Sequence, residues 1–165
     1  MKKIALILVA FVMAQTAMAQ QFSLPIMPQK MWPSDYAKYE KDVLNCCEWL
    51  LNASPEFNQP KHDECTSFMV RWLTGTPEVS VMIDARLVDA GKEALLVSFM
   101  ASWTRHALNN KDDDKLLCAT VAVEETLAFY VAHKKAIGKS KLMEKLLKEQ
   151  ANGNLALYVN QVING

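Results

Sequence analysis

The chain has 165 residues, of which 51% are apolar and 22% are charged, with 18 basic and 18 acidic side chains. This composition is typical of a globular protein and excludes a disordered or fibrous one. The balanced charge argues against a nucleic-acid-binding protein or a polybasic membrane-surface protein, because both need a concentrated positive field.

Residues 1–19 have the features of a signal peptide. Two lysines precede the apolar residues 4–14, and Ala17-Met18-Ala19 is a typical cleavage sequence. The apolar run is shorter than the roughly 20 residues needed to span a bilayer. We therefore expect cleavage after Ala19 and an exported mature protein, periplasmic or extracellular, without stable membrane insertion.

The prolines and glycines divide the remaining chain into segments. Residues 20–33 contain three prolines among apolar side chains and are predicted to form an extended N-terminal arm. Residues 34–165 are predicted to form a single helical domain, with helices over about 34–53, 61–74, 93–109, 112–136 and 155–163 and a further one beginning at Ser140.

The fold predicted from this pattern is an all-α bundle of five to six helices, stapled by disulfides. The first two helices should form an antiparallel hairpin because their connection is short. The third should be central because it is apolar nearly all round. Residues 76–91 alternate like a strand at Val79, Val81 and Ile83, but a lone strand has no partner, so we expect an irregular extended segment.

Four cysteines, Cys46, Cys47, Cys65 and Cys118, lie in the mature part of the chain. An even number in an oxidising compartment favours disulfides. Neighbours in a helix point about 100° apart, so Cys46 and Cys47 should pair with Cys65 and Cys118, in either combination, rather than with each other. A metal site at His62 and Cys65 is disfavoured because no further pair with ligand spacing accompanies it, and we predict neither a metal nor a cofactor.

Catalytic motifs for nucleophilic serine, zinc, phosphate or dinucleotide chemistry are absent from the sequence. One carboxylate, Glu124, lies in the middle of an apolar arc of the fourth helix, where a charge is costly unless it is paired. Arg105 on the third helix is its candidate partner in a buried ion pair. The alternatives are that Glu124 reaches the surface at a helix edge or acts as a general acid in a pocket.

Two tryptophans are candidate contacts for a partner. Trp32 lies in the arm, and Trp49 lies at the edge of the apolar stripe of the first helix. Tryptophan is enriched among the residues that dominate binding energy. For Trp49, the alternative is a half-buried position in the helix packing.

The segments Cys65–Pro77 and Leu95–Leu108 resemble small secreted all-helical bacterial proteins without an assigned activity. A leucine-rich helix with a cysteine, followed by a cysteine-led helix that ends in glycine, is also similar to periplasmic immunity proteins of type VI secretion amidase effectors. That second resemblance implies a small, exported, disulfide-bonded inhibitor.

We expect an exported, non-enzymatic helical protein that binds a protein partner in the cell envelope. An immunity-type inhibitor of a cell-wall hydrolase is the specific form of this hypothesis. Two other classes stay open. One is a carrier of a small molecule or lipid between the third and fourth helices, and the other is an envelope enzyme with a site built from Glu124, His106 and Arg105.

Overall fold

The computed structural model describes residues 22–111 and 114–165, and this part of the chain is all-helical. A 3-10 helix at Pro33–Tyr39 precedes six α-helices: α1 (Glu40–Asn52), α2 (Gln59–Leu73), α3 (Glu93–Asn110), α4 (Lys115–Ile137), α5 (Lys141–Ala151) and α6 (Leu155–Asn164). The predicted all-α class is confirmed. The predicted signal peptide lies outside the described residues.

Side-chain caps explain where two of the helices begin. Asp114 and Ser140 accept hydrogen bonds from backbone amides in the first turns of α4 and α5, at 2.8 and 3.3 Å. Gly138 follows α4 with a φ of 76°, a conformation that suits glycine. Residues 112 and 113, with which the predicted fourth helix begins, lie outside the described residues.

The central helix is α3, as its apolar sequence predicts. It packs against α1 and α4, and α4 packs in turn against α5 and α6. Phe99 and Trp103 of α3 are fully buried, with ring centroids 5.9 Å apart. By length and composition, α4 could cross a membrane, a property that core helices of globular proteins share.

The first predicted helix is divided in two, because its N-terminal part is the 3-10 helix. This short helix packs against the end of α2, where the Trp72 indole N–H donates to the Tyr36 carbonyl at 2.9 Å. A Cβ at Gly75 would lie 1.7 Å from the Tyr36 hydroxyl oxygen, so only glycine permits this packing. Within the described residues, the segment 76–91 contains neither helix nor strand, as predicted.

The predicted hairpin of α1 and α2 is confirmed, and it is antiparallel. Tyr39, just before α1, contacts Phe68 near the end of α2, with ring centroids 6.2 Å apart. At the other end, Trp49 contacts His62 near the start of α2, with centroids 6.4 Å apart.

The four cysteines are buried, and among the described residues no disulfide bond joins Cys46, Cys47 or Cys65 to another cysteine. Cys118 is buried at the start of α4. The disulfide staple therefore stays a prediction.

Tyr130, a fully buried residue of α4, connects α4 to α5. Its hydroxyl donates to Glu144 at 2.7 Å and accepts a hydrogen bond from the Ser140 amide at 3.1 Å. The Lys134 ammonium lies 2.5 Å from the same Glu144 oxygen. The hydrogen bonds from Lys134 and Tyr130 lower the pKa of Glu144, and the contact with Glu144 raises the pKa of Lys134.

We expect the Glu144→Gln substitution to lower the free energy of unfolding near neutral pH. A lowered carboxyl pKa stabilises the fold above the ordinary value of 4.5, and this contribution is lost as the pH falls through the lowered value. The free energy of unfolding of wild type and variant is measured by urea unfolding at a series of pH values from neutral to acid. The difference between the two should become smaller as the pH falls.

Glu149→Gln on the same helix is the control, because Glu149 forms no ion pair within the described residues. If the loss of unfolding free energy caused by Glu144→Gln is the same at neutral and at acid pH, the electrostatic explanation is contradicted.

Candidate functional site

Over residues 22–32 the N-terminal arm contains neither helix nor strand, and it follows α2 along its length. The Lys61 ammonium donates to the Phe22 carbonyl at 2.8 Å and lies 4.0 Å from the centroid of the Phe22 ring. Farther along α2, the Arg71 guanidinium donates to the Pro28 carbonyl at 2.6 Å. The arm therefore runs in the same direction as α2 and is held by hydrogen bonds to its backbone.

Two large apolar side chains of this arm point to solvent. Ile26 is 92% exposed and Trp32 is 77% exposed, whereas Met27 between them in sequence is buried at 3%. The backbone of Trp32 is fixed, because its N–H donates to the Asp35 carboxylate at 2.9 Å and its carbonyl accepts from the Asp35 N–H at 2.8 Å. We call the exposed pair Ile26 and Trp32 the arm surface.

Trp49, the other predicted contact, belongs to the packing of the helical hairpin. It is half-buried, and its ring centroid lies 6.5 Å from that of Phe57 and 6.4 Å from that of His62. Trp49 is therefore half-buried in the helix packing, and its contact with a partner stays a prediction.

Arg105 connects the central helix to both of its neighbours. Its guanidinium lies 3.1 Å from Glu48 of α1 and 2.5 Å from Glu125 of α4. The Ser102 hydroxyl, one turn earlier on α3, donates to the other carboxylate oxygen of Glu125. Because the Arg105 side chain is only 22% exposed, these charge-assisted bonds offset the cost of placing the guanidinium between helices.

The predicted pair of Glu124 and Arg105 is wrong by one residue. Glu124 is exposed, and Arg105 pairs with Glu125 instead. The apolar arc around Glu124 is only partly buried, since its members Leu117 and Val131 are 46% and 58% exposed while Leu127 is 1% exposed. The buried face of α4 is formed by Cys118, Ala119, Ala122, Val123, Thr126, Leu127, Phe129 and Tyr130.

The three histidines have separate surroundings. His62 is buried beside Trp49, and the pKa of His133 is lowered by burial. The His106 ring lies near the Asn110 amide, with 3.3 Å between His106 Nδ1 and Asn110 Nδ2, while its Nε2 is buried and has no hydrogen-bond partner within the described residues. Among residues 22–111 and 114–165, no three His, Cys, Asp or Glu side chains are placed to hold a metal ion.

No family model, curated protein or solved structure matches the chain. The two resemblances drawn from the sequence motifs therefore stay expectations.

We expect Glu125→Gln to destabilise the fold by about 1–2 kcal/mol, because it weakens charge-assisted hydrogen bonds between α3 and α4. Glu124→Gln is a matched control, since it makes the same chemical change at the adjacent, exposed position. Urea unfolding at neutral pH measures the free energy of unfolding of both variants. Equal destabilisation by the two substitutions would contradict the assignment of the ion pair to Glu125.

Proposed function

We propose that the protein is exported to the cell envelope and binds a protein partner there through the arm surface. The observation that carries this proposal is the exposure of Ile26 and Trp32 on a segment whose backbone is held in place. The features of residues 1–19, which lie outside the described residues, support export.

A fixed backbone favours binding through this surface. A flexible segment loses conformational freedom when a partner orders it, and that loss weakens the complex. Hydrogen bonds from Lys61 and Arg71 to the arm carbonyls order the arm during folding, so this freedom is already lost before a partner binds. The exposed indole of Trp32 then offers a large apolar area to a pocket of the partner.

The chemistry of the arm surface indicates an apolar pocket on the partner. Isoleucine and tryptophan side chains release ordered water when they are buried, and tryptophan is among the residues that dominate interface energies. The indole N–H adds one donor for a polar group at the rim of such a pocket.

An enzymatic function based on Glu124 has less support. Such a site needs Glu124 close to Arg105 and His106, but Glu124 is exposed while the Arg105 guanidinium is engaged by Glu48 and Glu125. The ionic contacts of Arg105 instead connect three helices of the bundle.

Export also places the cysteines in a compartment where thiols are oxidised. We include in the proposal that the mature protein carries a disulfide among Cys46, Cys47, Cys65 and Cys118, all of which are buried.

We expect Trp32→Ala to weaken binding of the partner by about 30-fold, the effect of removing a residue that contributes roughly 2 kcal/mol. The tagged protein is used to capture its partner from the envelope fraction. Affinity is then measured with the purified partner by titration calorimetry.

Leu157→Ala is the control, because Leu157 of α6 is also an exposed apolar residue, at 61%. It should leave affinity unchanged, and circular dichroism should show wild-type helicity for both variants. Recovery of the protein alone, or equal affinity of the Trp32→Ala variant, would contradict the proposal.

A further inference from the structure

Cys46 and Cys65 face each other across the helical hairpin. The contact between Trp49 and His62 fixes the register of α1 and α2. Cys46 lies three residues before Trp49 in α1, and Cys65 lies three residues after His62 in α2. In an antiparallel hairpin both steps lead about one turn away from the connecting loop, so the two cysteines lie opposite each other. Both side chains are fully buried at this position.

The two thiols interact directly. A side-chain hydrogen bond between Cys46 and Cys65 is the main cause of a raised pKa at Cys46 and a lowered pKa at Cys65. The positive charge of Lys61, one turn before Cys65 on α2, also lowers the pKa of Cys65. A thiolate is the nucleophile in disulfide formation, and each of the two neighbouring sulfurs is placed to react with the other.

Cys47 has different surroundings, although it is adjacent to Cys46. Its thiol donates to the thioether sulfur of Met69 at 3.7 Å, and burial raises its pKa. A thioether cannot form a disulfide, so this contact holds the Cys47 sulfur next to a group with which it does not react.

We propose that Cys46 and Cys65 are the cysteines that form the disulfide, which joins α1 to α2, and that Cys47 is not part of it. In the cell this assignment rests on the proposed export, but the choice of partners is a property of the hairpin itself. The bond would close a loop of about 20 residues.

The oxidant is a disulfide, from a thiol–disulfide oxidoreductase or from oxidised glutathione. The thiolate of one of the two cysteines attacks one sulfur of this disulfide, whose S–S bond breaks, and the released external thiolate takes up a proton from water. The thiolate of the other cysteine then attacks the protein sulfur of the mixed disulfide and displaces the second external thiolate, which is protonated in turn. Two protein thiols are thereby oxidised and one external disulfide is reduced to two thiols. Because both cysteines are shielded in the folded protein, the exchange takes place while the hairpin is forming.

The test compares C46A and C47A, which remove neighbouring thiols of equal burial. The reduced, unfolded full chain of each variant and of the wild type is refolded with reduced and oxidised glutathione, alkylated and digested without reductant. Mass spectrometry should find the peptide of Cys65 linked to that of Cys46 in the wild type and in C47A, and no link to Cys65 in C46A.

Thermal unfolding provides a second measurement. Addition of a reductant should lower the midpoint of the wild type and of C47A by about 6–12 °C and leave that of C46A unchanged. If C46A does not fold, the linked peptide from C47A identifies the paired cysteines by its mass. Links between Cys46 and Cys65, Cys46 and Cys118, or Cys65 and Cys118 each give a different mass.

A link to Cys65 that persists in C46A, or the absence of any link to Cys65 in the wild type, would overturn the assignment. The refolding experiment needs neither export nor a partner. Failure of the disulfide assignment is therefore distinguishable from failure of the proposed function.

Discussion

The position of the N-terminal arm depends on hydrogen-bond donors that α2 supplies to its backbone. An extended segment cannot satisfy its own carbonyl groups, so it needs donors from elsewhere. Three side chains of α2, Lys61, Arg71 and Trp72, donate to carbonyls of the arm and of the 3-10 helix that follows it. Because α2 is packed against α1, and α1 against the central helix α3, the path of the arm is tied to the core of the bundle. The exposed side chains of the arm thus project from a defined backbone.

Much of the fold could be predicted from the sequence, because helix periodicity and end signals act locally. Ser140 caps α5 as expected, and the glycine after α4 has the positive φ that ends a helix. The apolar third helix is central, and the proline-rich residues 22–32 form neither helix nor strand. These features depend on properties of neighbouring residues along the chain, which the sequence displays directly.

The side-chain pairs of the site could not be predicted in the same way. Helix α4 carries apolar residues on two faces, so periodicity alone does not decide which face is buried. The buried face contains Ala119 and Ala122, and Glu125 rather than Glu124 lies against Arg105. Similarly, the hydrogen bonds from α2 to the arm join residues 39 and 43 positions apart. Such contacts depend on the tertiary arrangement and leave no periodic signal in the sequence.

The central claim is that the arm has a fixed conformation before any partner binds. The most direct test is ¹⁵N relaxation of the free protein in solution, which measures the order parameters of the backbone amides over residues 22–32. We expect values of about 0.85, similar to those of α2, because the arm is held by α2 and by the turn at Trp32. Values below about 0.6 over the same residues would show a flexible arm and contradict the claim.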